Sequence, residues 1–196
     1  MASTLRLLLA SQSPRRSNLL TQMGFSFEIE PADIDETAHS EERAERYVRR
    51  LAQTKAQARW REGYLSLGAD TIVVLDNELL GKPRDEAHCT EMLQRLSGRT
   101  HEVATGIALC DGNQTKSEVV VSRVVMRPIE MQEAVAYWQT GEPQDKAGAY
   151  ALQGLGGVFV TRIEGSFSGV IGLPMAETYQ LLREAGLGTH LEHQVG

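Results

Sequence analysis

The chain is poor in cysteine, proline and aromatic side chains: 2 Cys and 6 Pro in 196 residues, with Phe, Trp and Tyr together at 6%. Each scarcity excludes something. Cys89 and Cys110 are too few for a disulfide-built scaffold or a thiolate zinc cluster, and they fit a reduced, cytoplasmic compartment. His39, His88, His101, His190 and His193 show no metal-ligand spacing beside a carboxylate or cysteine pair, and read as surface or loop residues. Long apolar runs are missing too. Leu5 to Ala10 falls short of the ~20 residues of a membrane helix, is interrupted by Arg6, and lacks the charged start and long apolar body of an export signal. Residues 1–10 are therefore expected to be mature sequence, and no membrane partner is expected. Positive charge is also short: 20 Lys and Arg against 26 Asp and Glu leave a net charge of −6. That excludes the basic footprint of a duplex nucleic-acid binder and obliges an anionic substrate to find a local basic pocket.

What remains suits one globular domain over residues 1–196, built as two lobes, with 41% apolar and 23% charged residues. Leu7 to Ala10 reads as a buried strand, followed by a turn and a helix to about Met23, stopped by Gly24. Ser40 is expected to cap a second helix with Glu41 and Glu42 in its first turn and Arg59 and Arg61 at its end, before Gly63. Leu67 to Leu75 reads as a largely buried strand with Asp70 near its start. A helix over 85–96, a hairpin of 103–109 and 119–126, a short helix over 131–140, a strand around 158–163 and a last helix from about Pro174 follow. The polar tail 187–196 is expected to fray. Strands alternating with helices give an α/β class with a mixed twisted sheet and flanking helices.

Cations stand at odd places in this acidic chain. Ser13-Pro14 suits a helix start, which puts Arg15 and Arg16 beside the positive end of the helix dipole. Each is unfavourable there by roughly 0.3–1 kcal/mol, so either both point into water or an anion such as phosphate belongs there. Lys55 lies on the apolar stripe of Ala44, Tyr47, Val48, Leu51, Ala52 and Ala58, so it either snorkels past the core or reaches an anion in a cleft. Lys82, between Gly81 and Pro83, lies on a loop. Among carboxylates, Asp70 stands in a strand of otherwise buried residue types and needs a partner: a salt bridge, a backbone cap, or a metal at the strand's end. Asp35-Glu36 is either a solvated acidic loop or a source of oxygens for a hard cation such as magnesium. Residues 145–157 are glycine-rich and carry Gln153, whose amide offers both donor and acceptor to a nucleobase edge; a flexible loop is the plainer reading, and neither the P-loop nor the dinucleotide spacing is present.

The motifs LASQSPRR at 9–16, VRRLAQTKA at 48–56, GADTIV at 68–73, GKP at 81–83, LSGRTH at 96–101, DKAGAYALQGLGG at 145–157 and GVIGLP at 169–174 occur in this order across nearly the whole chain. Together they resemble the Maf (septum formation inhibitor) family. The resemblance implies an elongated α/β fold of the Maf and inosine triphosphatase type, two lobes around a central cleft. It also implies a pyrophosphatase that uses a divalent cation (magnesium, manganese or cobalt) to split a nucleoside triphosphate into monophosphate and pyrophosphate. By position, Asp70 would activate water, Arg16, Lys55 and Lys82 would hold phosphates, Ser11 and Ser13 would shape their loop, and Glu36 would share the metal with Asp70. Arg15, Thr71 and Gln153 match the dTTP/UTP group, whereas relatives preferring 7-methyl-GTP typically have tryptophan in place of that arginine. Ala151-Leu152 departs from the Gly-Ile of many members. The family also implies a possible homodimer, and its older name leaves a non-catalytic nucleotide-binding regulator of cell division as the alternative from another class.

Overall fold

The computed structural model describes residues 5–188; the expectations for the extreme N-terminus and for the tail from residue 189, including His190 and His193, fall outside them. Among the described residues seven strands form one mixed sheet: β1 (Arg6–Leu9), β2 (Phe27–Ile29), β3 (Tyr64–Leu75), β4 (Glu78–Leu80), β5 (Thr100–Cys110), β6 (Thr115–Met126) and β7 (Val160–Glu164). They run in the order β2-β1-β3-β5-β6-β7, with β4 pairing β3. The helices are α1 (Pro14–Gln22), α2 (Ala44–Arg59), α3 (Glu86–Leu96), α4 (Met131–Gln139), α5 (Phe167–Ile171) and α6 (Met175–Glu184). The α/β class and mixed sheet are as expected. Among the described residues no helix is long and apolar enough to cross a membrane.

By its contacts the chain divides into two compact units, one holding the chain up to Asp70, Thr105–Val120 and the chain from Gly172, the other Thr71–Ala104 and Val121–Ile171. In the first, β1 lies parallel to both β2 and β3, in register from Arg6↔Tyr64 to Leu9↔Leu67. Leu7, Leu8 and Leu9 are buried between these neighbours, which is why this strand reads as a continuous apolar run. Helix α2 packs on the sheet where β3 and β5 carry glycine. A Cβ at Gly68 would lie 2.2 Å from the Ala52 carbonyl oxygen, and one at Gly106 2.4 Å from that of Val48. Only glycine admits so close an approach of helix backbone to strand. The second unit has its own core, in which Leu75, Met92, Leu93, Leu96, Val124 and Phe159 pack together. Its helix α3 starts as its sequence suggests, the Asp85 carboxylate accepting the His88 N–H at 2.8 Å.

Several elements differ from expectation. Helix α2 begins at Ala44 behind Arg43, not behind Ser40. Glu42 instead turns back to accept the His39 N–H and to bind Arg50, so residues 39–42 form a turn with Glu41 at φ 57°. The helix ends at Arg59, leaving Arg61 and Gly63 in the turn beyond it. The buried stripe is Val48, Leu51, Ala52, Lys55 and Ala56, with Ala58 exposed. The strands β2 and β4 and the short α5 were not expected, and β3 starts three residues earlier than Leu67. His101 is neither a surface nor a loop residue: it lies buried on β5, where its Nε2 sits 2.8 Å from the Tyr150 hydroxyl.

Candidate active site

Along β3, residues 66, 68 and 70 point to one face. Gly68 shows that this face meets α2, so Asp70 is aimed at the same helix. Lys55 is one turn beyond Leu51 on the buried stripe, and its stem is carried to that place. Its Nζ lies 2.6 Å from Asp70 Oδ1 and 2.6 Å from Glu36 Oε1. Lys55 therefore does not snorkel to solvent. Asp70 stands in the middle of β3 rather than at its end, but it follows the last β1 pairing, at Leu67, and precedes the first β4 pairing, at Val73. On that edge the sheet leaves it where β1 has already turned away into the Ser11–Ser13 loop.

That loop supplies the second cation. Ser11 is buried, and its Oγ accepts both the Arg16 Nη1–H at 3.0 Å and the Ser13 backbone N–H at 3.3 Å. Arg16 Nε donates to the Gly172 carbonyl at 2.9 Å. Ser13 occupies the cap position of α1 without a side-chain cap bond; Pro14 opens the helix, and Arg15 and Arg16 fill a first turn that holds no acid. Burial pulls the Arg16 pKa below its ordinary 12.5, and Asp70 and Glu36 oppose that pull. The guanidinium thus feels both carboxylates.

Asp70 carries the complementary perturbation. Burial raises it above its ordinary 3.8, while Lys55 and Arg16 act to keep it ionised. Tyr47, on the same side of α2, donates its hydroxyl to the Glu36 carbonyl at 2.9 Å, and Arg50 donates to the Thr37 carbonyl at 3.1 Å. These two residues tie the Glu36 loop to the helix that bears Lys55. Burial first, then Asp70 and Glu36, push the Tyr47 phenol up to about 12. Sequence reasoning missed both as site residues: Tyr47 counted only as stripe, and Arg50 was indistinguishable from a solvated charge.

The remaining predicted residues belong to the second unit. Thr71 follows Asp70 on β3 and points to the opposite face. Lys82 is exposed on the loop after β4, and Gln153 is exposed between two 3-10 turns, Ala147–Ala149 and Leu155–Phe159. The Gly148 N–H donates to the Gly81 carbonyl at 3.0 Å, so the Lys82 loop and the glycine-rich segment are joined. Gly148 itself sits at φ 68° against the Val73 side chain.

In the first unit the structure thus gathers Ser11, Arg16 and the exposed Glu36 around the buried Lys55–Asp70 pair. Such a cluster can deprotonate a water and hold phosphate oxygens by charge-assisted hydrogen bonds. Glu36 and Asp70, converging on a single ammonium, are the residues able to share a hard divalent cation, which usually takes one or two carboxylates and completes its shell with phosphate and water. Among the described residues no group of three or more His, Cys, Asp or Glu gathers into an all-protein cage. A cavity of about 490 Å³ lined by Gln53, Gln57, Trp60, Asn113 and Gln114 contains none of the predicted site residues.

The chain is similar over most of its length to proteins named dTTP/UTP pyrophosphatase. A dTTP/UTP pyrophosphatase of Salmonella typhimurium is 53% identical over 179 residues, covering 90% of this chain and 91% of its own. One of Pseudoalteromonas atlantica is 50% identical over 187 residues, covering 92% and 97%. One of Methylococcus capsulatus is 49% identical over 191 residues, covering 96% and 95%. The family described as "Maf-like protein" matches residues 6–185. Matched over nearly its whole length, the chain belongs to the Maf family.

Proposed function

We propose that this chain is a nucleoside triphosphate pyrophosphatase that hydrolyses dTTP and UTP, and modified pyrimidine nucleotides, to the monophosphate and pyrophosphate. The observation that carries the proposal is the buried Lys55–Asp70 contact at 2.6 Å, with Arg16 and Glu36 in its electrostatic range. Water is a poor nucleophile at neutral pH. Asp70, made more basic by burial yet held ionised by Lys55 and Arg16, accepts its proton as the water attacks the α-phosphorus. Arg16 and Lys55, and Lys82 from its loop, neutralise the charge that accumulates on the departing pyrophosphate. Ser11 keeps the Arg16 guanidinium in place through its Oγ. Glu36 and Asp70 would hold a divalent cation (magnesium, manganese or cobalt), which supplies charge neutralisation and Lewis-acid polarisation of the phosphate when bound.

Arg15 and Thr71 complete the match to the dTTP/UTP group. The Gln153 amide pairs with the imide edge that thymine and uracil share, so a single residue accounts for both substrates. The names of the relatives support the same substrate pair. The two cysteines favour a reduced, cytoplasmic setting for the enzyme, and the resemblance implies a homodimer. A panel of nucleoside triphosphates, with pyrophosphate read out and the metal varied, tests the proposal. Preference for dTTP and UTP supports it; preference for 7-methyl-GTP overturns the specificity, and no pyrophosphate from any substrate with any metal leaves the nucleotide-binding regulator.

A further inference from the structure

The glycine-rich segment of the second unit is fastened by two side chains from outside it. The Ala151 N–H donates to the Tyr137 hydroxyl oxygen at 3.0 Å. The Leu155 N–H donates to Glu142 Oε2 and the Gly156 N–H to Glu142 Oε1, each at 2.9 Å. The Tyr137 hydroxyl in turn donates to Glu142 Oε1 at 2.6 Å, which makes the two side chains one unit. Burial alone would raise Glu142, but the hydrogen bonds from Tyr137, Gly156 and Leu155 outweigh it and hold the carboxyl below its ordinary value. It is an anion serving three donors.

The glycines fit this fastening. A Cβ at Gly154 would lie 2.2 Å from Glu142 Oε2, and one at Gly156 2.4 Å from the Tyr137 oxygen. A third pin lies just upstream, where the Tyr150 hydroxyl meets buried His101 at 2.8 Å. Burial pulls the His101 pKa down to about 4, so this pin stays uncharged at neutral pH. Gln153 lies midway between the fastened residues 151 and 155, its own side chain exposed.

We propose that Tyr137 and Glu142 are positioning residues that fix the Gln153 amide for base recognition, and so set nucleotide specificity without touching the substrate. The proposal rests on the base-reading role given to Gln153 above. Backbone held on both sides of Gln153 fixes the point and direction from which its side chain leaves the loop, and a site discriminates between base edges better when fewer conformations remain to be ordered on binding.

The test compares kcat and KM for dTTP and for dCTP, which lacks the imide. Glu142→Gln keeps the side chain's size but replaces one acceptor oxygen by a donor, so at least one of the three donors loses its partner. The dTTP-to-dCTP ratio of kcat/KM is expected to fall about tenfold in Glu142→Gln, through a higher KM for dTTP and with kcat within about twofold. Tyr137→Phe moves the ratio in the same direction, and decides the matter alone if Glu142→Gln does not fold. Adding Glu142→Gln to Gln153→Ala produces no further fall, because both act through one amide. If Gln153→Ala lowers the ratio while the folded Glu142 and Tyr137 variants keep it, the positioning role is overturned and base reading stands. If Gln153→Ala itself leaves the ratio unchanged, base reading fails and this proposal fails with it.

Discussion

Replacing Lys55 by methionine keeps an unbranched, packable stem and removes only the ammonium. The side chains of Lys55 and Asp70 are 8% and 10% exposed, whereas that of Glu36 is 48% exposed. Contact with the half-exposed Glu36 therefore contributes roughly 0–1 kcal/mol. Loss of the ammonium beside buried Asp70 dominates, because removing one partner of a buried pair costs about 3–5 kcal/mol. Arg16 still acts on Asp70, which favours the lower end of that range. In a chain of this size each kcal/mol lowers Tm by about 2–4 °C, so a fall on the order of 6–20 °C is expected at pH 7. The dependence on pH has a definite sign. Asp70 already titrates above 3.8 in the folded state, and without Lys55 it rises further. A carboxyl that binds its proton more tightly when folded favours the folded state increasingly as pH falls. The deficit of Lys55→Met should therefore shrink on acidification, and adding Asp70→Asn should recover most of it. Thermal and urea denaturation of the single and double variants at pH 7 and pH 5 supplies the measurement. A cost below about 1 kcal/mol, independent of pH and not relieved by Asp70→Asn, would refute the reasoning, since exposed pairs behave in that way.

Three further outcomes are expected. Asp70→Asn should lower kcat by about 10²–10⁴-fold and also lower Tm, since it takes from the buried Lys55 ammonium its buried counter-charge; in the wild type the acid limb of kcat/KM should lie above 3.8, and full activity in the variant would contradict its role as base. Gly68→Ala should cost about 3 kcal/mol or more in urea denaturation, since its Cβ meets the backbone of Ala52 and Ala56, whereas Gly81→Ala, with nothing within 4 Å, should be near neutral. Arg50 and the His39 N–H hold Glu42 down to about 2, so its contribution to stability is complete above 4.5 and lost as pH falls from there toward 2; acid titration of Glu42→Gln should lack that part of the slope.

Much of the site was legible because it violates ordinary burial rules. A lysine on an apolar helical stripe and an aspartate in an apolar strand each demand a partner, and the structure makes them partners of one another. The Ser13-Pro14 helix start is equally local and equally readable. The start of α2 was not, because Glu42 is drawn from a helical first turn by Arg50, eight residues away. Strands β2 and β4, three residues each, are too short for any periodicity and exist through their pairing with β1 and β3. Glu142 stands outside every recognised motif, and its role depends on backbone donors at 155 and 156 that only the folded segment brings within reach. Tyr47 was hidden for the opposite reason: an aromatic ring on an apolar stripe needs no further explanation until its hydroxyl is found on the Glu36 carbonyl.

The proposed reaction is attack of water, activated by Asp70, on the α-phosphorus. Hydrolysis of dTTP in ¹⁸O-labelled water, with mass spectrometry of both products, tests that step directly. Attack at the α-phosphorus places one labelled oxygen in the monophosphate and none in pyrophosphate. Label in the pyrophosphate, or release of orthophosphate and a nucleoside diphosphate, would contradict it.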